Sequence, residues 1–172
     1  MSKAKPDQPP VSLAAAVLTI SDKRRPGDDA SGDYLAASLQ ESGHRCVQRA
    51  ISRDNMYAIR AVLSQWIADP AIQLILCNGG TGFSHQKSAI AAVTPLLDQV
   101  VTGFGEQFRF LSYQEIGSSA LQSDALAGTA NETLLFCLPG SPGACKLAWE
   151  GILRQQLDSR HRPCNFASQY LR

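Results

Sequence analysis

The sequence predicts an α/β fold, in which a mostly parallel open sheet carries helices on both faces. Short apolar runs alternate along the chain with segments of helical periodicity, which is typical of parallel strands joined by crossover helices. The first run, residues 13–20, is apolar on both alternating faces and therefore predicts a central strand covered on both sides. A turn signal late in the chain adds one antiparallel hairpin.

The first crossover helix follows a polar loop at residues 21–31. Ser31 is a candidate N-cap and Gly43 a left-handed stop, so we expect a helix over residues 32–42. A second strand is predicted at about residues 45–51.

The second helix is predicted from its candidate N-cap Asp54 to the break at Asp69, which precedes a proline. Its apolar stripe comprises Ile59, Val62, Leu63, Trp66 and Ile67. The third strand is the apolar run at residues 72–77. Two further helices are predicted at residues 89–97, bent near Thr94 and Pro95, and at about 103–116.

The end of the chain supplies the hairpin and a last helix. Residues 121–128 and 133–138 are predicted strands on either side of the turn signal Ala130-Asn131-Glu132. The final helix is marked by Trp149, Ile152, Leu153 and Leu157.

Composition predicts one domain. A chain of 172 residues with 44% hydrophobic content can bury a core, which we place at residues 13–172. Residues 1–12 contain three prolines and little apolar surface, so we expect a flexible tail. The formal net charge of +1 argues against a broad nucleic-acid surface, and no stretch is apolar and long enough to span a membrane. We therefore expect a cytoplasmic protein.

The five cysteines show no C-x-x-C pair and fall mostly in apolar runs. We predict buried free thiols of a reducing compartment, without chemical role, at Cys46, Cys77, Cys137, Cys145 and Cys164. The scattered histidines His44, His85 and His161 predict no metal set.

Three loops that follow predicted strands form the candidate site. Glycines at 79, 80 and 82, around Thr81, let the backbone turn sharply and approach an anion, although a plain tight turn is an equal alternative on the residues alone. A second loop, residues 138–143, contains Pro139, Gly140 and Ser141, whose hydroxyl can hold a substrate oxygen. The loop after the first strand adds Ser21 and Asp22, for which a solvated surface loop is the alternative.

These motifs resemble the MogA and MoaB proteins and the homologous domain of gephyrin, over nearly the whole chain after the tail. The shared motifs are Thr19-Ile-Ser-Asp22, Gly79-Gly-Thr-Gly82, Gly103-Phe-Gly-Glu-Gln-Phe-Arg109 and Leu138-Pro-Gly-Ser141. The MoaB branch in particular is indicated by Tyr57-Ala-Ile-Arg60, Ser112 with Glu115-Ile-Gly117, Leu121-Gln-Ser123 and Arg162-Pro-Cys-Asn-Phe166.

The resemblance implies a MogA-like molybdopterin-binding fold and a part in molybdenum cofactor biosynthesis. It implies homotrimers or homohexamers, and contact with other proteins of that pathway. The family reaction is adenylylation of the terminal phosphate of molybdopterin by ATP with magnesium. We therefore expect molybdopterin as ligand or substrate, and ATP or GTP with magnesium as the nucleotide.

Two positions depart from the family pattern. Active members carry a carboxylate at the fifth residue after the glycine motif, where this chain has Lys87, and a second one at the position of Asp54. Asp124 stands where MoaB relatives usually carry arginine, and its opposite charge suggests that it has coadapted with Lys87. Glu106 and Arg109 belong to a family motif, but their spacing also suits a surface ion pair.

Three hypotheses follow for function. The first is a molybdopterin-binding protein with weak or absent adenylyl transfer, because Lys87 reverses a charge that would hold magnesium. The second is an active molybdopterin adenylyltransferase with a rearranged site. The third is a non-catalytic oligomeric carrier of a pterin or nucleotide.

Overall fold

A computed structural model describes residues 9–83 and 87–171 as one six-stranded sheet with the strand order β2-β1-β3-β6-β5-β4. The strands are β1 (Ala14–Ile20), β2 (Arg45–Ser52), β3 (Leu74–Gly79), β4 (Gln99–Val100), β5 (Leu126–Ala130) and β6 (Thr133–Leu138). The helices are α1 (Ala30–Glu41), α2 (Met56–Ala68), α3 (Ala89–Val93), α4 (Thr102–Ile116), α5 (Pro142–Ala148) and α6 (Arg154–Gln156).

The sheet is mixed, as the sequence predicts. Strands β2, β1, β3 and β6 are mutually parallel, whereas β5 is antiparallel to both β6 and β4. The β5–β6 hairpin turns through Asn131 and Glu132, whose φ angles are 46° and 64°. Two consecutive left-handed residues match the right-handed twist of the flanking strands, which confirms the predicted hairpin.

Both faces of the sheet are covered, because alternate residues of the inner strands enter two separate cores. Val17 of β1 packs with Leu35 of α1, Phe108 of α4 and Trp149 on one face. On the other face Leu18 packs with the predicted apolar stripe of α2 and with α3. The continuous apolar runs of β1, β3 and β6 are explained by this burial on two sides.

Both predicted helix caps are wrong by one or two residues. The carboxylate of Asp29 accepts the backbone N–H of Gly32 at 3.1 Å, so Asp29 caps α1 in place of Ser31. The side chain of Asn55 accepts the N–H groups of Tyr57 and Ala58, so Asn55 caps α2 in place of Asp54. Where two polar residues near a helix start can each act as the cap, tertiary contacts decide between them. Here the side chains of Ser31 and Asp54 form hydrogen bonds with other loops instead.

The strand predicted at residues 121–128 is shorter than expected. A 3₁₀ helix occupies Gly117–Gln122, and β5 begins only at Leu126. Its outer partner β4 was missed because two residues are too short to give a periodic signal. The bend predicted near Pro95 is confirmed, since α3 ends at Val93 and a 3₁₀ turn follows. The last helix also forms, as α5, a π-helical segment (Trp149–Leu153) and α6.

The cysteines are free thiols, of which Cys77, Cys137 and Cys145 are buried and Cys46 half-buried. Burial raises the pKa of Cys145 to about 12, so this thiol stays protonated at neutral pH. Cys164 is exposed, so the prediction that all five are buried is wrong for Cys164 and only partly right for the half-buried Cys46.

The amino-terminal end is anchored from Val11 onward, where its N–H donates to the hydroxyl of Ser159 at 3.0 Å. Most of the predicted tail, residues 1–8, lies outside the described residues. In the part of the chain that the structure describes, no helix is both long and apolar enough to cross a bilayer.

The start of β1 depends on a buried histidine. The Nδ1 atom of His44 accepts the backbone N–H of Leu13 at 3.2 Å, and burial lowers the pKa of His44 against a smaller opposing effect of Asp158. A histidine with a lowered folded pKa binds fewer protons when folded than when unfolded. Its stabilising contribution is therefore complete above its unfolded pKa of about 6.5 and is lost as the pH falls through the folded pKa.

We expect the free energy of unfolding by urea to decrease between about pH 7 and pH 5, with part of this decrease due to His44. The variant His44→Asn keeps a polar group near the position of Nδ1 but does not titrate in this range. Its stability should therefore depend less on pH than that of the parent. An identical pH dependence in both proteins would contradict this assignment.

Candidate functional site

The candidate site lies where β1 and β3 end side by side. The chain leaves β1 toward β2 on one flank of the sheet and continues from β3 toward β6 on the other. Loops that diverge at the carboxyl ends of neighbouring parallel strands leave a crevice between them, which is the usual ligand position in open α/β sheets. Here the crevice is a cavity of about 190 Å³.

Two glycine loops meet at this cavity. Gly79 and Gly80 have φ angles of +88° and +63°, a conformation that side-chain-bearing residues rarely adopt. A Cβ atom on Gly80 would lie 2.5 Å from Cγ2 of Ile20, and one on Gly140 would lie 2.8 Å from Cα of Gly79. The two loops therefore touch through backbone, and only glycine permits this approach.

The cavity gathers residues from all three predicted loops. Those of the predicted site that line it are Ser21, Gly79, Gly80, Thr81, Lys87 and Gly140. Asp22 lines a wider adjoining cleft, and Gly82 and Pro139 lie in the loops outside the cavity lining. Ser141 also lies outside the lining, where its hydroxyl accepts the N–H of Ala144 and caps α5. A role for Ser141 in holding a substrate oxygen stays a prediction.

A buried polar chain forms the floor of the cavity. The amide of Asn78 donates to the hydroxyl of Thr19 at 2.9 Å, and that hydroxyl donates to the carboxylate of Asp29 at 2.7 Å. Arg49 lies 3.5 Å from the same carboxylate and 2.6 Å from Asp33. This network joins β1, β3, α1 and β2 and fixes the relative positions of the loops that surround the cavity.

The role of Arg49 in this network escaped the sequence analysis. It lies inside β2, and no local motif distinguishes a strand arginine that reaches a site from a solvated one. Ser31 was assigned to a helix cap, yet its hydroxyl donates to the carbonyl of Gly140 at 2.8 Å. This bond ties the start of α1 to the second glycine loop.

Asp54 and Lys87 form an ion pair at the rim of the cavity. The ammonium of Lys87 lies 3.3 Å from Oδ2 of Asp54, and the backbone N–H of Ser88 donates to Oδ1 at 3.0 Å. The Asp54 side chain is only 5% exposed, whereas that of Lys87 is 43% exposed. Both oxygens of the carboxylate are therefore engaged by the segment that follows the glycine loop.

This arrangement does not fit a magnesium ion. Within residues 9–83 and 87–171, no three His, Cys, Asp or Glu side chains lie close enough together to hold a metal ion. The carboxylate of Asp54 already has a cation beside it in Lys87. A divalent cation at the same oxygen would meet a like charge instead of a second acidic ligand.

The remaining predicted residues lie apart from this ion pair. Among the described side chains, Lys87 pairs with the carboxylate of Asp54 and forms no ion pair with Asp124, so a coupling between Lys87 and Asp124 stays a prediction. Glu106 and Arg109 form no ion pair within the described part of α4 either, although the spacing permits one. His85 lies outside the described residues.

Comparison with known proteins agrees with this fold. The family model described as "probable molybdopterin binding domain" matches residues 16–159, and the chain belongs to this family. It is 54% identical over 151 residues to molybdenum cofactor biosynthesis protein B of Escherichia coli (strain K12), covering 88% of this chain and 89% of that protein. The protein of the same name from Staphylococcus carnosus is 42% identical over 149 residues, covering 85% and 87%.

Solved structures place the chain in the MoaB branch. A crystal structure of a molybdenum cofactor biosynthesis protein B has a TM-score of 0.85 at 38% identity, over 87% of this chain and 94% of that one. The tungsten cofactor synthesizing protein MoaB of Pyrococcus furiosus has a TM-score of 0.77 at 29% identity, over 86% and 94%. The MoaB fold predicted from the motifs is confirmed.

Proposed function

We propose that this protein binds molybdopterin during molybdenum cofactor biosynthesis and transfers an adenylyl group to it slowly or not at all. The terminal phosphate of the pterin occupies the cavity between the two glycine loops. The observation that carries the proposal is the ion pair of Lys87 with Asp54 at the cavity rim. Where the family resemblance implies two carboxylates in active members, this chain has one carboxylate and one cation.

The phosphate assignment rests on three features of the cavity. Gly79 and Gly80 let backbone come close to a ligand, and the exposed part of Lys87 adds a positive charge at the rim. A volume of about 190 Å³ suits a phosphate group but is small for a whole pterin. The pterin rings then extend into the adjoining cleft.

Slow adenylyl transfer follows from the charge at residue 87. Transfer of an adenylyl group from ATP needs magnesium to neutralise the triphosphate, and the described side chains offer this metal no acidic cluster. An active adenylyltransferase would need acidic ligands that lie outside this cavity. A non-catalytic carrier of molybdopterin, for delivery to other proteins of the pathway, is the limiting case of the proposal.

Binding and chemistry can be tested separately. Fluorescence titration of the purified protein with molybdopterin should show saturable binding at micromolar concentration. Incubation with ATP and magnesium should then give little adenylylated molybdopterin by chromatography. Absence of molybdopterin binding would refute the proposal, and fast turnover would refute its catalytic part.

We also propose that the protein works as a homo-oligomer of at least three chains. An apolar stripe on the outer face of α4 has no partner within the described chain, and comprises Phe110, Tyr113 and Ile116, which are 60%, 62% and 52% exposed. A face of this kind on a folded chain is typical of a subunit interface. The family resemblance, which implies homotrimers or homohexamers, supports an assembly with three-fold symmetry.

Sedimentation velocity at micromolar concentration should show a trimer or hexamer. Phe110→Glu should raise the dissociation constant of the oligomer more than tenfold, because burial of such a side chain contributes about 2 kcal/mol at each interface. Tyr57→Glu is the matched control, since Tyr57 is 71% exposed but lies on α2. A monomeric parent protein would contradict this proposal.

A further inference from the structure

Most of the exposed large apolar side chains lie on three elements that follow one another in space. Among the described residues, eight large hydrophobic side chains are exposed. Five of them lie on α4, on the 3₁₀ helix after it, or in the first glycine loop (residues 79–83), and these five form the apolar flank: Phe110, Tyr113, Ile116, Leu121 and Phe83. Single exposed apolar residues are ordinary, whereas a cluster of them marks an interaction surface.

Two contacts make the apolar flank continuous with the candidate site. The hydroxyls of Ser112 in α4 and Ser123, directly after the 3₁₀ helix, lie 3.3 Å apart and tie that helix to α4. A Cβ atom on Gly82 would lie 3.9 Å from the carbonyl oxygen of Gln122, the last residue of the 3₁₀ helix. Phe83 follows Gly82 in the chain. The subunit interface proposed on α4 therefore extends to the first glycine loop.

The first glycine loop is held firmly only in its first half. Gly80 is buried, and its carbonyl oxygen accepts the backbone N–H of Ala89 at 3.0 Å. Thr81, which lines the cavity, is half-buried, and the loop then reaches Phe83, whose side chain is 93% exposed. A surface that packs on the ring of Phe83 would bury it and fix the second half of the loop.

The area of the apolar flank suits a second copy of this chain. From their exposed fractions and the usual surface of such side chains, its five members present about 650 Å² of apolar surface. Two chains that meet through this surface bury about 1,300 Å² together, which falls in the range of roughly 1,200–2,000 Å² for stable specific interfaces. The five side chains are uncharged, so two copies meet there without repulsion between like charges.

We propose that a second copy of this chain packs on the apolar flank and fixes the first glycine loop, so that the cavity reaches full affinity for the pterin phosphate only in the assembled protein. This inference rests on the proposed function and adds to it a dependence of ligand binding on assembly. In a dissociated chain, ligand binding bears the entropic cost of ordering the loop, whereas in the oligomer the loop is already ordered. Because such coupling is reciprocal, the ligand also strengthens the assembly.

Dilution of the parent protein tests the coupling without any substitution. Sedimentation velocity gives the concentrations at which the oligomer assembles and dissociates, and fluorescence titration with molybdopterin gives the affinity at each of them. We expect the dissociated chains to bind molybdopterin about fivefold more weakly or worse, since couplings between sites commonly start at this factor. Saturating molybdopterin should in turn shift dissociation of the oligomer to lower protein concentration.

Leu121→Gln tests the apolar flank itself, because Leu121 is 84% exposed and lies outside the cavity lining. The dissociation constant of the oligomer should rise about tenfold, and molybdopterin binding should weaken at concentrations where only the parent is assembled. At concentrations high enough to assemble the variant, its affinity for molybdopterin should return to that of the parent. Tyr57→Gln is the matched control, since Tyr57 is 71% exposed on α2, and it should change neither property.

The outcomes separate this inference from the proposed function. Equal molybdopterin affinity in assembled and dissociated parent protein would overturn the inference and leave the proposed function intact. A weak affinity of Leu121→Gln that persists after the variant has assembled would also overturn it. A monomeric parent that binds molybdopterin would assign the apolar flank to a different partner protein, against the inference. Absence of molybdopterin binding at every protein concentration would refute the proposed function, and this inference with it.

Discussion

Replacing Lys87 with aspartate is expected to raise the rate of magnesium-dependent adenylyl transfer by about a hundredfold. A missing catalytic ion or acid commonly costs at least this factor, and the variant places a second carboxylate beside Asp54 at the cavity rim. The two acids repel one another until a divalent cation binds between them. Initial rates with molybdopterin, ATP and magnesium measure the effect.

The variant should also respond to magnesium before any chemistry occurs. We expect magnesium to raise the Tm of Lys87→Asp and to leave that of the parent unchanged, because only the variant gains a metal ligand pair. Affinity for inorganic phosphate should fall in the same variant, since a cation at the rim is lost.

Lys87→Gln is the control that separates removal of a cation from addition of an acid. It should lose phosphate affinity like the aspartate variant, yet gain neither transfer rate nor a magnesium-dependent Tm. If the parent already transfers adenylyl groups rapidly and Lys87→Asp is slower, Lys87 is a phosphate-holding catalytic group. The hypothesis of a replaced metal site would then be wrong.

Gly80→Val is expected to abolish molybdopterin binding and to reduce stability by about 2–5 kcal/mol. Its Cβ would lie 2.5 Å from Cγ2 of Ile20 and 3.1 Å from Oδ1 of Asp54, at a φ angle of +63°. Left-handed strain at a branched residue costs about 1–3 kcal/mol, and overpacking costs a similar amount. Urea unfolding and fluorescence titration measure the two effects.

Two further glycine variants distinguish loss of the loop from loss of the fold. Gly140→Ala has no positive φ to strain, but its Cβ would press on Cα of Gly79, so it should weaken binding at a smaller cost in stability. Gly43→Ala has an open position at a φ of +84°, far from the cavity, and should lose some stability but no binding. If Gly140→Ala binds molybdopterin as tightly as the parent, contact between the two loops does not form the site.

The elements of the fold could be predicted because their signals are local. The apolar runs of β1, β3 and β6, the stripe of α2 and the turn before β6 are all properties of neighbouring residues. Where two polar residues compete for one helix end, the local signal is ambiguous. Asp29 and Asn55 therefore cap α1 and α2, where Ser31 and Asp54 were expected to do so.

The candidate site likewise has features that local sequence predicts and features that depend on tertiary contacts. The sequence by itself determined the open mixed sheet, the two glycine loops after buried strands, and the cation at residue 87. Only the tertiary structure decided that Lys87 pairs with Asp54, 33 positions earlier in the chain, and that Asp124 does not. It also brought Arg25, in the loop before α1, and Arg53, directly after β2, into the walls of one cleft. Periodicity and turn chemistry depend on covalent neighbours, whereas an ion pair or a pocket wall depends on how packed elements bring distant side chains together.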